Sequence, residues 1–473
     1  MTSSLCDLPL AIDRNSSETL GAQLRRGLLD AIRRGVLRPG VSLPSTRALA
    51  AQLRISRPLI VEAYGQLAAE GYLKLRQGAR PVVAPGVTSV ERRVEEAGQV
   101  EAVRFDLRPA MPDVGMFPRR DWLRAIRAVL GTLPAAELGY GDLRGSPVLR
   151  AALADYLGRV RGVVADPASI FVTSGFAEGR ALVCAAFHAR GIRRVAVEDP
   201  GYSDWVAVDK AGLRRVPVQV DENGVDVDRL VSLGADAAFV TPAHQFPVGG
   251  VLSAARRQKL IGWLQEADAL ALEDDYDAEF RYDQSPVGAL QGLARDNVVY
   301  AGTASKTLAP ALRLGWLVVP PALVPTMTAE LRRWSEGPPR IDQDALAELL
   351  RSGAYDRQLR KMRRHYRERR NQLLAALSRL VPDLSIEGAA AGLHVTLRLP
   401  DAIDAAGEAG IVDYLRTRGI ATEGTGRYSA SHGGPRRLFI GYGRIAESGI
   451  EPSIAVLAQA VEGALNAAGR GAA

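Results

Sequence analysis

The chain of 473 residues is poor in exactly the residues that would support several common functions. Its only cysteines, Cys6 and Cys184, lie far apart without neighbouring metal-ligand residues, which excludes a disulfide framework and points to a reducing cytoplasm. The five histidines, His188, His244, His365, His394 and His432, are scattered, and none pairs at the helix or strand spacing of a zinc site, so no metal is expected. No run approaches about 18 uninterrupted apolar residues, so no membrane span is expected. The N-terminus, MTSSLCDLPLAIDR, lacks the basic region and apolar core of a signal peptide.

Lysine is also scarce, with five among 60 basic residues, and one of the five stands out. Lys306 lies in YAGTASKTLAPALRLGW, between an apolar strand and a turn of small residues, where an amine is placed to form a Schiff base with an aldehyde cofactor. Upstream, ALALEDDYDAEF ends an apolar strand in Glu273, Asp274, Asp275 and Tyr276. An ionised carboxylate beside a pyridine nitrogen keeps that nitrogen protonated, and a phenol can hydrogen-bond the ring's 3-oxygen.

Anion-binding elements accompany these. In IFVTSGFAEGRALVCAAF a β-branched strand runs through Thr173-Ser174-Gly175 into a helix beginning near Phe176, which offers a hydroxyl and N–H groups at a helix N-terminus. Arg313 adds a guanidinium, with the hydroxyls of Thr303 and Ser305 close in sequence. In VEDPGYSDW, Tyr202 follows a Pro-Gly turn and can stack on a flat ring.

In this order the pieces resemble the fold-type I pyridoxal-phosphate enzymes of the class I/II aminotransferase family, over roughly residues 106–468. The resemblance implies that Lys306 is the Schiff-base lysine, Asp274 the partner of the pyridine nitrogen with Asp275 the competing choice, Tyr276 the 3-oxygen partner and Tyr202 the stacking ring. It implies a phosphate site at Ser174, Gly175, Phe176, Thr303, Ser305 and Arg313, with Tyr140 of LGYGDLRG reaching in from a partner subunit.

An aminotransferase does not need the charge distribution seen here. Residues 1–84 hold eleven Arg and one Lys against six Asp plus Glu, which leaves +6 of the chain's +7 in less than a fifth of its length. Such a concentration is the footprint of a polyanion-binding module. It is also patterned: Leu20, Leu24, Leu28, Leu29 and Ile32 form one helical stripe. Ser45 caps a second helix, Thr46 to Leu53, and Ser56 caps a third with Pro58 early in it. Residues 72–84 alternate around Gln77-Gly78 as a β-hairpin wing. PGVSLPSTRALAAQL and SRPLIVEAYGQLAAEGYL resemble the GntR family of winged helix-turn-helix proteins. That resemblance implies DNA contacts at Ser45, Arg47, Ser56 and Arg57, and in the wing at Arg76, Gln77 and Arg80. Leu59 stands where the family often has threonine, and Ala79 where it often has a wing glycine.

The domain reading is a winged helix-turn-helix over 1–84, a charged linker over 85–105, and an α/β fold-type I large domain over 106–468 whose smaller C-terminal α+β part spans about 345–468. A GntR-type reader fused to an aminotransferase-like domain resembles the MocR/GabR family of transcriptional regulators. The resemblance implies a head-to-tail, domain-swapped homodimer on double-stranded DNA, in which an amine or amino acid, or pyridoxal phosphate itself, is sensed at the Lys306 Schiff base and changes operator binding. No physiological turnover is expected beyond a residual half-transamination. The alternative is an active aminotransferase with a regulatory DNA-binding domain. Three departures weigh against full transamination: Phe246 in place of an asparagine beside the 3-oxygen, with Gln245 or His244 as substitutes; Phe439 in place of the arginine for a substrate carboxylate, with Arg427, Arg436 and Arg437 nearby; and Asp204, an acid that would repel a carboxylate and welcome an amine.

Overall fold

The computed structural model describes residues 10, 12–85, 103–282, 287–333, 335, 337–388, 390–430 and 433–471. The chain divides into two compact units, residues 1–100 and 101–473. Most of the expected linker, and Cys6 and His432, fall outside the described residues.

In the first unit three helices, Leu20–Arg33, Thr46–Leu53 and Arg57–Ala69, are followed by the antiparallel strands Leu73–Lys74 and Val82–Val83. Local chemistry sets these limits. The Ser45 hydroxyl accepts from the Ala48 N–H at 3.2 Å, and Pro58 occupies the first turn of the third helix, where its missing N–H costs nothing. Gly40 and Gly78 have φ values of +83° and +77°, which a side chain would strain, at the turn before the second helix and at the tip of the wing. Leu24, Leu28, Leu49, Ile60, Tyr64 and Leu67 are buried together, and the Tyr64 hydroxyl donates to the Pro44 carbonyl at 3.0 Å. The expected stripe is partly inside: Leu24, Leu28 and Ile32 are buried, whereas Leu20 and Leu29 are half-buried at its edge.

The second unit is built on an eight-stranded sheet ordered Ile170–Thr173, Gly315–Val318, Val298–Thr303, Leu270–Asp274, Ala237–Val240, Arg194–Asp199, Arg214–Asp221 and Gly224–Val225. Its central neighbours are parallel, and Gly315–Val318 and Gly224–Val225 are antiparallel to the strands beside them. Near-continuous apolar strands such as Ala237–Val240 are buried on both faces, as a sheet covered by crossover helices requires. A smaller antiparallel sheet, Ser385–Glu387, His394–Arg398, Arg437–Gly441 and Glu423–Gly424, forms the C-terminal part. Phe105, read from sequence as linker, opens the strand Phe105–Asp106, which pairs in parallel with Ile420–Ala421. The helix Arg340–Arg351 buries Ala345, Leu346 and Leu349 in one core with Leu149 and Leu153 and with Leu397 and Leu438 of the small sheet, whose first strand is Ser385–Glu387.

Register brings the singled-out residues together. Asp274 is opposite Ala301, Thr303 is opposite Gly315, and Gly315 is opposite Thr173, so four strands end on one line. Ligands of open α/β sheets bind along the C-terminal edge of the parallel strands, and that edge carries the candidate residues.

Leu49→Ala, which empties a fully buried position of the first unit, should lower that unit's unfolding free energy by about 2–5 kcal/mol, read from its denaturant transition by circular dichroism.

Candidate functional site

Three consecutive acids at one strand end have three different environments. Glu273 is buried and accepts the Leu290 and Gln291 N–H groups at 2.7 and 2.9 Å, anchoring the following loop. Asp275 is buried in a bidentate pair with Arg161, at 2.8 and 3.2 Å, and also accepts the Tyr300 hydroxyl at 2.7 Å. Asp274 has no hydrogen-bond partner among the described residues and faces a cavity also lined by Phe176, Tyr202 and Thr241. Burial, with the neighbouring Asp275 charge, pushes its carboxyl up to about 8, against the pull of Arg180 and Lys306. Asp274 is half-buried, and a carboxylate drawn out of water without a partner is costly unless a cation or a donor completes it. Between the two acids that the sequence left in competition, Asp275 is already satisfied and Asp274 is the one available.

Lys306 lies in the turn after the strand Val298–Thr303. Burial lowers the proton affinity of its amine, while Asp277 and then Asp274 raise it. The neutral amine is the form that attacks an aldehyde, and desolvation favours it. Beside it, the Tyr276 hydroxyl lies 3.0 Å from His244 Nδ1, and that nitrogen is also 3.0 Å from Asp277. His244 is therefore the neighbour of Tyr276 where an asparagine was missing. Gln245 is not, because its amide donates to Glu198, Pro200 and Phe246. Gly392 makes room for the histidine: a methyl group there would lie 2.2 Å from the imidazole and 2.6 Å from Asp277. His394 packs against His244 with ring centroids 5.4 Å apart, and burial followed by the His244 charge pushes it down to about 4, so it is neutral.

The phosphate-type elements converge as well. Gly175, at φ +89°, caps the helix Phe176–Ala189, and a methyl group on it would lie 3.1 Å from the Arg313 guanidinium. Only glycine permits that approach. Arg313 is exposed, its guanidinium makes no hydrogen bond among the described residues, and its backbone, held at φ +51°, donates to the Pro310 carbonyl at 3.2 Å. The Thr303 and Ser305 hydroxyls are 3.0 Å apart. The Ser174 N–H currently donates to Glu178, an internal carboxylate at the helix N-terminus where an anion is favoured. Tyr202 lies edge-on to Phe176 at 6.0 Å, beside the cavity. Tyr140 is 93% exposed and touches none of these groups within its own chain.

Beyond Tyr276 the wall is aromatic. Phe246 meets Tyr276 edge-on at 5.7 Å and Tyr428 at 5.1 Å, and Tyr428 meets the buried Phe439 at 5.5 Å. The three arginines considered in place of a carboxylate anchor face acids instead: Arg427 pairs with Glu423 at 3.0 Å, Arg437 with Glu387 at 2.6 Å, and Arg436 lies 3.9 Å from Glu408. Asp204 does not stand as a bare charge, since it pairs with Arg180 at 3.0 Å. Sequence reasoning missed Arg161 and Arg180, whose partners lie 114 and 24 residues away.

In the first unit Ser45, Arg47, Ser56, Arg57, Arg76, Gln77 and Arg80 are all exposed. Ser45 already caps the second helix, while Ser56 makes no side-chain cap bond, and Arg57 donates to the Thr46 hydroxyl at 3.3 Å across the turn between the helices. Leu59 is half-buried, and a methyl group on Gly21 of the first helix would lie 3.5 Å from it, so its side chain packs toward the first helix.

A fold-type I transferase scaffold with an unpartnered strand-end carboxylate, a half-buried lysine and a glycine–arginine anion cradle fits pyridoxal phosphate, and it follows a winged helix-turn-helix. Residues 120–432 match the family described as aminotransferase class I and II, and residues 20–83 match the bacterial regulatory proteins of the gntR family. The chain is 32% identical over 463 residues to the HTH-type pyridoxine biosynthesis transcriptional regulator PdxR of Corynebacterium glutamicum, covering 97% of this chain and 99% of that one. It is 31% identical over 418 residues to the probable rhizopine catabolism regulatory protein MocR of Rhizobium meliloti, covering 84% and 85%. Kynurenine aminotransferase of Pyrococcus horikoshii shares the fold, with a TM-score of 0.70 and 23% identity over 78% of this chain and 92% of that one. The chain belongs to the MocR/GabR family of transcriptional regulators, which joins a GntR DNA-binding domain to a class I/II aminotransferase domain whose coenzyme is pyridoxal phosphate.

The two neighbouring aspartates give opposite stability outcomes. Asp275→Asn leaves the Arg161 cation buried without its counter-charge and should cost about 3–5 kcal/mol, whereas Asp274→Asn should cost little. With its folded-state affinity raised to about 8, Asp274 binds more protons folded than unfolded. Without coenzyme, its contribution therefore makes stability fall as pH rises from the ordinary carboxylate range toward about 8, and Asp274→Asn should remove that slope in denaturant titrations.

Proposed function

We propose that this regulator senses an amine, or pyridoxal phosphate itself, at Lys306, and that the outcome alters how residues 17–84 engage an operator. The observation that carries the reading is the juxtaposition of the half-buried Lys306 amine with the unpartnered Asp274 carboxylate, in a chain that also bears a winged helix-turn-helix. When bound, the coenzyme supplies an aldehyde and an electron-withdrawing ring. Lys306 offers the amine, Asp274 holds a proton at the ring nitrogen, and Tyr276, backed by His244 and Asp277, donates toward the 3-oxygen. Ser174, Gly175, Phe176, Thr303, Ser305 and Arg313 hold the phosphate, and Tyr202 covers a ring face. Tyr140, which serves nothing in its own chain, completes the site of a second copy in a head-to-tail dimer.

An amine without a carboxylate anchored by Arg427, Arg436 or Arg437 suits this pocket best, because those cations are engaged with acids and the wall beyond Tyr276 is aromatic. The same features argue against the second reading, an active aminotransferase with a regulatory domain, which would hold its substrates by a carboxylate.

Borohydride reduction of the full-length protein with added pyridoxal phosphate, followed by peptide mass mapping, should place the adduct on Lys306. Lys306→Ala should lose the visible absorption of the bound coenzyme and keep its non-specific DNA affinity; no adduct at excess coenzyme overturns the sensing role, and sustained turnover with an amino donor and an oxoacid overturns the regulator-only reading. Arg57→Ala, at the start of the third helix, should weaken operator binding and, as a base-reading contact, reduce discrimination by about 1–3 kcal/mol in salt-controlled gel-shift titrations. Unchanged affinity removes Arg57 from the interface.

A further inference from the structure

Arg180 is the least explained charge in the second unit. It projects from the helix Phe176–Ala189, is 2% exposed, and donates from Nη2 to Asp204 at 3.0 Å. Its Nε and Nη1 groups are buried with no hydrogen-bond partner among the described residues. The guanidinium carbon lies 4.5 Å from the Tyr202 ring centre, 5.7 Å from that of Phe176 and 5.9 Å from that of Trp205. Three aromatic faces thus hold a cation that is neither solvated nor fully hydrogen-bonded. Aromatic faces compensate part of that loss by cation–π attraction, but they supply no acceptor.

Arg180 and Tyr202 line the same cavity as the Asp274 carboxylate. The other charged or titratable groups about that carboxylate are Glu198 in the cavity wall, Asp275 and Asp277 on its own segment, and Lys306. Asp275 is neutralised by Arg161 and Asp277 faces His244, so the cations left to act on Asp274 are Lys306 and Arg180. Lys306 is the amine that would bond the coenzyme's aldehyde, so Arg180 is the cation about Asp274 that would take no part in that bond.

Resting on the coenzyme reading above, we propose that Arg180 is a positioning residue that acts through Asp274 to weaken the hold on a proton at the pyridine nitrogen of the coenzyme. A guanidinium near the carboxylate and ring nitrogen disfavours the state carrying the extra proton, because that state adds positive charge beside an existing cation in a low-dielectric pocket. The ring then withdraws electrons less strongly. An amine that takes the place of Lys306 on the coenzyme would be registered without efficient proton loss from its α-carbon, which suits a sensor more than a transferase. Asp204, half-exposed and bonded to Arg180, moderates the effect as its counter-charge.

The test uses full-length protein loaded with pyridoxal phosphate labelled with nitrogen-15 in the ring, its nitrogen shift followed against pH by NMR. Arg180→Met should raise the pH at which the ring nitrogen loses its proton by about one unit or more, and Arg180→Lys should restore most of the wild-type value. Asp204→Asn, which keeps the cation and removes its counter-charge, should move the midpoint the opposite way. On adding an amine, Arg180→Met should also convert bound coenzyme to its pyridoxamine form faster than wild type. Coincident midpoints in wild type and Arg180→Met, or equal shifts of the same sign in Arg180→Met and Asp204→Asn, overturn the proposal. If Arg180→Met does not fold, Arg180→Lys and Asp204→Asn still decide it by the sign of their difference. Failure of wild-type protein to take up the coenzyme would instead overturn the function reading on which the proposal rests.

Discussion

The bidentate contact between Arg161 and Asp275 is the constraint on which the site depends. Two adjacent aspartates at a buried strand end cannot both remain ionised without compensation, and the fold resolves this by giving one of them a dedicated arginine and the Tyr300 hydroxyl. Arg161 is the last residue of the helix Pro147–Arg161, which stops at Gly162 in the left-handed conformation, so the guanidinium is delivered from a rigid helix end. With Asp275 fixed and Glu273 tied to the backbone at residues 290 and 291, the strand end cannot rotate. Asp274 is left pointing into the cavity.

Much of this was legible in the sequence because it is written locally. The helix Thr46–Leu53 has the limits expected from its cap and its preceding Pro-Gly turn, since Ser45 and Gly40 act within a few residues of themselves. Lys306 and Asp274 were legible because each sits at the end of an apolar strand, and parallel strands bring such ends to one edge. The linker boundary was less sharp: Phe105 pairs with residue 420, and no local pattern encodes a partner more than 300 residues away.

What the sequence hid are pairings across the fold. Arg161 reads locally as a basic residue in the last turn of a helix, and Arg180 as one arginine in an apolar helix, so neither signals a buried counter-charge. A weak sign for Arg180 did exist, an arginine flanked by Gly179 and Ala181-Leu182-Val183, where a surface helix would be expected to carry more charge. The choice between His244 and Gln245 likewise turned on which of two neighbours points toward Tyr276, a matter of backbone direction that composition does not carry. Asp204 was readable as an acid and unreadable as half of an ion pair.

Gly392 gives the site a mechanical property. It leads into the strand His394–Arg398 of the small sheet, accepts the Tyr282 and Tyr442 hydroxyls at its carbonyl, and lies against the His244–Asp277 pair, which belongs to the large part. His394, on the small sheet, donates from Nε2 to the Pro247 carbonyl at 2.8 Å. The charges nearest Lys306 are thus wedged in a joint between two sheets. Any displacement of one sheet against the other by a few tenths of an ångström is at once a change in the electric field at the amine, and any change of charge at the amine is a force on the joint.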